Sequence, residues 1–86
     1  MNKESETEIA TALALEKDLL DRYGLLLTGD ALIRELGYAS KAAFRQSLVR
    51  KTVPVPVFEL DNRRGKYALA KDIARYLAKR RFSSIS

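Results

Sequence analysis

The fold follows from residues 28–58, TGDALIRELGYASKAAFRQSLVRKTVPVPVF. In its first two parts the apolar residues recur at helical spacing, and in the last part they alternate with other residues. Thr28 can cap a first short helix, because its hydroxyl can accept a hydrogen bond from the free amides of the next turn. Three apolar residues of that helix have the spacing of a buried stripe: Leu32, Ile33 and Leu36. Gly37 then supplies the turn at which the helix ends.

A second helix is expected from Ser40, an N-cap residue, to about Lys51, with Phe44 and Leu48 on its inner face. Two short helices joined by a tight turn that contains glycine form the helix-turn-helix pattern. Helical hairpins with no special function have the same pattern. The pattern by itself therefore leaves both interpretations open.

After these helices, β-branched residues alternate with two prolines, which predicts an extended strand over residues 53–58. Both prolines lack an amide and lie at even positions, so we expect the residues at odd positions to form the strand pairing. The loop 60–65 is rich in turn residues, and residues 66–69 would return antiparallel. The sequence thus predicts a two-stranded ribbon and no larger sheet.

An amphipathic helix is expected ahead of this region, over residues 5 to about 22. Ser5 and Glu8 have capping-box spacing, and Gly24 is placed to end the helix. Its apolar face must bury against its own domain or against a second copy of the chain. Residues 5–23 are therefore a candidate homodimer surface.

A closing helix is expected from about residue 70 to 81, with Ile73, Tyr76 and Leu77 turned inward. Its outer face is strongly basic and either faces phosphates or is simply solvated. The tail 83–86 is expected to fray.

Composition restricts the class of protein. Eighty-six residues with 47% hydrophobic content suffice for one core. The absence of cysteine rules out disulfides and thiolate metal sites and favours a reducing, cytoplasmic location. No apolar run approaches the roughly 20 residues that cross a bilayer, and the N-terminus lacks the apolar stretch of a signal peptide. Neither a membrane nor an export route is expected.

Catalysis is not expected either. Without histidine or cysteine, the chain lacks the commonest general base and the best nucleophile. Glu59 and Asp61 lie beside Arg63 and Arg64, which indicates turn and surface roles rather than an acid-base pair. The four glycines are scattered and form no phosphate loop. We therefore expect no enzyme activity, metal, cofactor or small-molecule substrate.

Charge is unevenly distributed along the chain. Residues 1–22 hold three basic and six acidic residues, a net charge of −3, whereas residues 23–86 hold thirteen basic and five acidic residues, a net charge of +8. Clustered Lys and Arg favour a polyanionic partner, because binding releases the counterions of its phosphates. A merely soluble surface explains the charge equally well.

Binding chemistry concentrates on the helix that begins at Ser40. If its apolar residues face the core, four residues lie outward near its amino-terminal half, the part that enters the major groove in helix-turn-helix docking: Lys41, Ala42, Arg45 and Gln46. Arg can bond guanine and Gln can bond adenine through two hydrogen bonds, while Ala42 can contact a thymine methyl. The alternative is a solvated amphipathic face.

The ribbon and the helix end supply further cations. Arg63, Arg64 and Lys66 are expected at the ribbon tip, within reach of a minor groove or of phosphates. Gly65 would supply the positive φ of a tight hairpin. Phosphate contacts are also expected from three residues of the second helix: Ser40, Arg50 and Lys51.

The region from Leu27 to about Arg81 resembles the small winged-helix domains of phage excisionases and AlpA-type prophage regulators, which are relatives of the MerR DNA-binding domain. The resemblance covers about 55 residues and rests on the order of its features. These are Leu27-Thr28 before the first short helix, Gly37 in the turn, Ser40 opening the second helix, 53–57 as the first strand, Arg63-Arg64 in the wing and 72–77 in the closing helix.

The resemblance implies double-stranded DNA binding, with the second helix in the major groove and the wing beside it. It gives these roles to Lys41, Arg45, Gln46, Arg63 and Arg64. The chain differs from such domains at Ala31, where they often carry Glu, and in a turn that is one residue longer. The acidic N-terminal helix lies outside the resemblance.

The predicted fold is mainly α (α+β): a winged helix-turn-helix with a two-stranded β wing, a closing helix and an extra N-terminal helix. Its expected parts are an acidic helix over 1–24, a DNA-binding domain over 25–82 and a tail over 83–86. The predicted function is that of a transcription regulator or an excisionase-like recombination directionality factor of a mobile element or prophage. The alternative is a protein-interaction module, an adaptor or antirepressor that uses the acidic helix.

Overall fold

The computed structural model describes residues 3–83, which form four helices and a two-stranded antiparallel sheet. In chain order the elements are α1 (Lys3–Tyr23), β1 (Leu26–Thr28), α2 (Gly29–Glu35), α3 (Lys41–Arg50), β2 (Tyr67–Leu69) and α4 (Ala70–Ser83). The expectation of a mainly helical α+β fold is therefore confirmed. Over these residues, no helix combines the length and the apolar character needed to span a membrane.

One hydrophobic core joins these elements. Its largest fully buried side chains come from β1, α2 and α4, and are Leu27, Leu32 and Ile73. Phe44 adds α3 to the core, and its ring meets Tyr38 edge-on with the ring centroids 5.4 Å apart. The predicted inward faces of α2, α3 and α4 are confirmed, because all of their members are buried or partly buried: Leu32, Ile33, Leu36, Phe44, Leu48, Ile73, Tyr76 and Leu77.

Helix α1 packs mainly against α4. α4 has a buried alanine at every fourth position: Ala70, Ala74 and Ala78. Because a methyl is the smallest side chain with a Cβ, this stripe permits the close approach of a neighbouring helix. Leu19 of α1 is buried in the same core. The apolar face of α1 thus packs on its own chain, but Ile9 and Leu13 remain 51% and 62% exposed.

The outer helices differ in their ends from the prediction. Gly24 ends α1 as expected, with a φ of +89° and its amide donating to the carbonyl oxygen of Leu20 at 2.9 Å. Ser5 is not the N-cap, because it lies within α1. α4 extends to Ser83, so the predicted fraying tail begins too early. Residues 84–86 of that tail lie outside the described residues.

The turn after α2 is closed by two backbone hydrogen bonds. The amide of Gly37, which has a φ of +83°, donates to Arg34 at 3.0 Å, and the amide of Tyr38 donates to Ile33 at 3.1 Å. This pair of bonds is the Schellman motif, in which a left-handed residue ends a helix. Two short helices joined by a glycine-bearing turn are therefore present as predicted.

The sheet differs from the predicted ribbon. β1 was not expected as a strand, yet it pairs with β2 in a register that places Leu27 opposite Ala68. The predicted strand 53–58 forms a single β-bridge, between Phe58 and Tyr67. In this bridge each amide donates to the other residue's carbonyl oxygen, at 2.9 and 2.8 Å.

Proline explains why the pairing ends at Phe58. Alternate residues of an antiparallel strand form their backbone hydrogen bonds toward the same edge, so Pro54 and Pro56 share the edge that Phe58 uses. Neither proline has an amide hydrogen to donate there. The prediction that the odd positions would pair is therefore wrong. The alternation survives as burial, since Val55 is buried while both prolines are exposed.

The segment between the two bridge partners, residues 59–66, is called the wing below. The amide of Arg63 donates to the carbonyl oxygen of Leu60 at 3.2 Å, in a turn where Asn62 has a φ of +62°. Gly65 has a φ of +95°, which confirms the positive value expected there.

Thr28 occupies the N-cap position of α2, but its side chain makes no cap hydrogen bond. The predicted capping role of its hydroxyl is therefore wrong. The hydroxyl donates instead to the carbonyl oxygen of Lys66 at 2.7 Å, because β1 lies beside the end of the wing.

Candidate nucleic-acid interface

Helix α3 presents a polar face to solvent, because Phe44 is buried and Leu48 packs partly buried against the core. All four residues proposed for the major groove are exposed: Lys41, Ala42, Arg45 and Gln46. Arg45 and Gln46 line one shallow surface depression together with Val49 and Arg50. The structure therefore brings Arg45 and Gln46, two of the four, together with Arg50, whereas Lys41 lines a separate depression at the α2–α3 turn.

Arg45 and Gln46 carry the strongest chemistry of this face. Within residues 3–83, neither side chain has a hydrogen-bond or ion-pair partner. A free guanidinium offers a planar set of donors, and a free primary amide offers a donor beside an acceptor. These are the groups that bond the edges of guanine and adenine through two hydrogen bonds each.

Lys41 begins α3 and forms an ion pair with Asp30 of α2, with Nζ and Oδ1 3.7 Å apart. Both side chains are largely exposed, so the pair adds little stability and exchanges readily. The ammonium of Lys41 is therefore available to an anion that approaches the α2–α3 turn.

Ser40 is the N-cap of α3, as predicted. Its Oγ accepts a hydrogen bond from the amide of Ala43 at 3.1 Å. The hydroxyl proton is not used in this bond, so Ser40 can cap the helix and still donate to a phosphate oxygen.

Lys51 ends α3 in a left-handed conformation, with a φ of +59°. Its amide donates to Leu48 at 3.2 Å, and the amide of Thr52 donates to Ser47 at 2.9 Å. This second Schellman motif holds the basic end of α3, where Arg50 is also exposed. The sequence predicted both the helix end at about Lys51 and a phosphate contact by this residue, but not its left-handed conformation.

The cations of the wing occupy two different settings. Arg63 and Arg64 are exposed, and neither has an ion-pair partner in the described part of the chain. Lys66 adjoins β2 at the base of the wing rather than its tip, where Nζ lies 3.2 Å from Oε2 of Glu59. The prediction that three cations lie at the tip is therefore wrong for Lys66, and two arginines remain as candidates there.

Val49 was not singled out from the sequence, yet it is the most exposed large hydrophobic residue among those described, at 82%. It lies seven residues after Ala42 on the same side of α3 as Arg45 and Gln46. That heptad offset from a predicted contact residue is the signal that could have identified it.

A separate groove runs between α1 and α4. Its lining includes the exposed Ile9 and Leu13, together with charged residues of opposite sign from the two helices. Glu8 and Glu16 come from α1, whereas Arg75 and Lys79 come from α4.

Comparison of this chain with protein-family models, with curated proteins and with solved structures found no match.

Proposed function

We propose that this protein binds double-stranded DNA in a sequence-specific way, as a winged helix-turn-helix with α3 in the major groove. The proposal rests on one observation above all: Arg45 and Gln46 are exposed on α3 while Phe44 of the same helix is buried, and within residues 3–83 neither of the two exposed side chains has a partner. A helix whose inner face is fixed by a core holds its outer donors in a defined register, as recognition of base edges requires.

The surrounding charge supports the same proposal. Arg50 and Lys51 lie at one end of α3, and Lys41 lies at the other. In the wing, Arg63 and Arg64 are exposed and would contact phosphates or a flanking minor groove. Each phosphate contact releases counterions, so we expect affinity to fall steeply as salt rises.

The biological role we propose is that of a transcription regulator or an excisionase-like recombination directionality factor of a mobile element or prophage, acting in the cytoplasm. The two roles differ in what happens to the DNA, since a recombination factor of this kind bends its site. Circular-permutation gel shifts on the bound site distinguish them.

The alternative function is that of a protein-interaction module, an adaptor or antirepressor, working through acidic α1. The exposure of Ile9 and Leu13 on that helix favours it. Salt-sensitive binding to random duplex DNA is expected of the DNA-binding protein and not of the adaptor.

We propose no catalytic activity, because the chain has neither histidine nor cysteine and the carboxylates near the wing are exposed or ion-paired.

We also propose that a second copy of the chain covers the α1–α4 groove. Its acidic α1 side and basic α4 side are complementary to each other, so a two-fold axis would place Glu8 and Glu16 of one copy against Arg75 and Lys79 of the other. The same operation brings together the exposed Ile9 and Leu13 of both copies.

The proposed function is tested by selecting bound duplexes from a random pool and footprinting the protein on the winner. We expect a defined consensus, and a dyad-symmetric footprint if the protein binds as a dimer. Repeating the selection with Arg45→Ala should change or relax one position of the consensus. A pool that shows no enrichment, while the folded protein is verified by circular dichroism, would refute the proposal.

A further inference from the structure

The exposed face of α3 contains two apolar side chains among its polar ones. Ala42 and Val49 are both exposed, and the depression around Val49 is otherwise lined by Arg45, Gln46 and Arg50. An exposed valine adds no hydrophobic stabilisation to the isolated chain, whereas contact with another apolar group would remove its side chain from water. The question is which apolar group fits a site bordered by cations.

The spacing of the two residues matches the geometry of the major groove. Seven helical residues rise about 10.5 Å and return nearly to the same side of the helix. Successive base pairs of B-form DNA are about 3.4 Å apart along its axis, so in a helix that follows the oblique major groove the two side chains are separated by about two to three base-pair steps. Arg45 and Gln46 lie between them along the helix.

The major groove offers one apolar group to such side chains, the C5 methyl of thymine. We propose that Ala42 and Val49 contact the methyl groups of two thymines on either side of the bases bonded by Arg45 and Gln46. This inference rests on the proposed function and adds the identity of the bases at the edges of the recognition helix.

A protein partner is a poorer fit for Val49. Protein-binding patches are contiguous apolar surfaces, but the neighbours of Val49 in its depression are two arginines and a glutamine. Among the described residues, the other exposed large hydrophobic side chains lie away from α3, on α1 at Ile9 and Leu13 and between α1 and β1 at Leu25. An apolar side chain flanked by two arginines suits contact with a methyl group of DNA, because the arginines can bind the phosphates nearby.

The experiment uses the full chain and the duplex chosen by selection from unmodified DNA, in which thymine is the only source of this methyl. Each thymine is replaced in turn by deoxyuridine, which removes the methyl and keeps the base pairing. We expect the loss of one buried methyl to weaken binding about three- to fivefold, at two positions about two to three base pairs apart.

Protein variants assign each methyl to its side chain. Val49→Ala should weaken binding to the thymine duplex and abolish the uridine effect at one of the two positions only. Ala42→Gly should do the same at the other position. Val49→Thr keeps the shape but adds a hydroxyl, and it should retain only part of the uridine effect. Since Val49 is 82% exposed, thermal unfolding should confirm that these variants at position 49 remain folded.

The outcomes separate the inference from the function on which it rests. Specific binding that ignores every uridine substitution overturns the inference and leaves DNA binding intact. Uridine sensitivity that persists unchanged in both Val49→Ala and Ala42→Gly also overturns it, because another residue then contacts the methyl. If the wild-type protein does not bind DNA specifically, both the inference and the proposed function are overturned.

Discussion

The hydroxyl of Thr28 donates a 2.7 Å hydrogen bond to the carbonyl oxygen of Lys66. Thr28 is the last residue of β1 and directly precedes α2, whereas Lys66 is the last residue of the wing. The bond therefore ties the start of the first short helix to the base of the wing. It complements the Lys66–Glu59 ion pair, which joins the two ends of the wing.

Thr28→Val should destabilise the protein by about 0.5–1.5 kcal/mol, because valine has the shape of threonine but leaves the carbonyl of Lys66 without its donor. Thr28→Ser keeps the donor and serves as the matched control. The free energy of unfolding in urea measures both. A valine variant as stable as the wild type would mean that water replaces the hydroxyl without cost.

Ser40 allows helix capping and phosphate binding to be separated. Ser40→Ala should cost about 1 kcal/mol in unfolding free energy, because the amide of Ala43 loses its acceptor. Ser40→Asp should keep the cap and the stability, yet weaken DNA binding by repelling phosphate. Denaturation and affinity are measured on the same preparations. Equal affinity of Ser40→Asp and wild type would remove Ser40 from the interface.

Lys51 combines a strained backbone with a proposed phosphate contact. Lys51→Gly should stabilise the fold by about 0.5–1 kcal/mol, because glycine adopts a φ of +59° without the Cβ penalty. Lys51→Asn also tolerates this conformation, and both variants lack the ammonium. Each should reduce the slope of log affinity against log salt by about 0.9. An unchanged slope would show that Lys51 touches no phosphate.

The helices could be predicted from the sequence because their signals are local. Ser40 and Gly37 mark helix ends by chemistry that acts within a few residues, and the apolar positions of α2 and α3 repeat at the helical period. The outward face of α3 follows from that period once Phe44 is assigned to the core. These parts of the fold and of the candidate site agree with the structure.

The sheet could not be predicted in the same way, because strand pairing depends on residues far apart in sequence. The amide pattern of the two prolines showed which edge pairs poorly, but not that Phe58 would still use that edge for one bridge. β1 has only three residues, and its apolar and polar residues do not alternate, so the sequence did not identify Leu26 as a strand residue. The Thr28–Lys66 bond depends on that missed strand.

The proposed dimer is tested by one substitution in the α1–α4 groove. Leu13→Lys should shift the chain toward the monomer in sedimentation velocity, because it places a charge in the apolar centre of the interface. Leu25→Lys is the matched control, since Leu25 is also exposed, at 72%, but lies outside the groove. A wild-type protein that sediments as a monomer at every concentration would contradict the dimer.

Base recognition by Arg45 is measured by the ratio of the affinities for the selected duplex and for random duplex. We expect Arg45→Ala to lower that ratio about 5- to 160-fold, because one bidentate contact discriminates between bases by about 1–3 kcal/mol. Arg64→Ala should weaken binding to both duplexes alike and leave the ratio unchanged. An equal loss of affinity by both variants on both duplexes would show that Arg45 recognises no base and would contradict sequence-specific binding through α3.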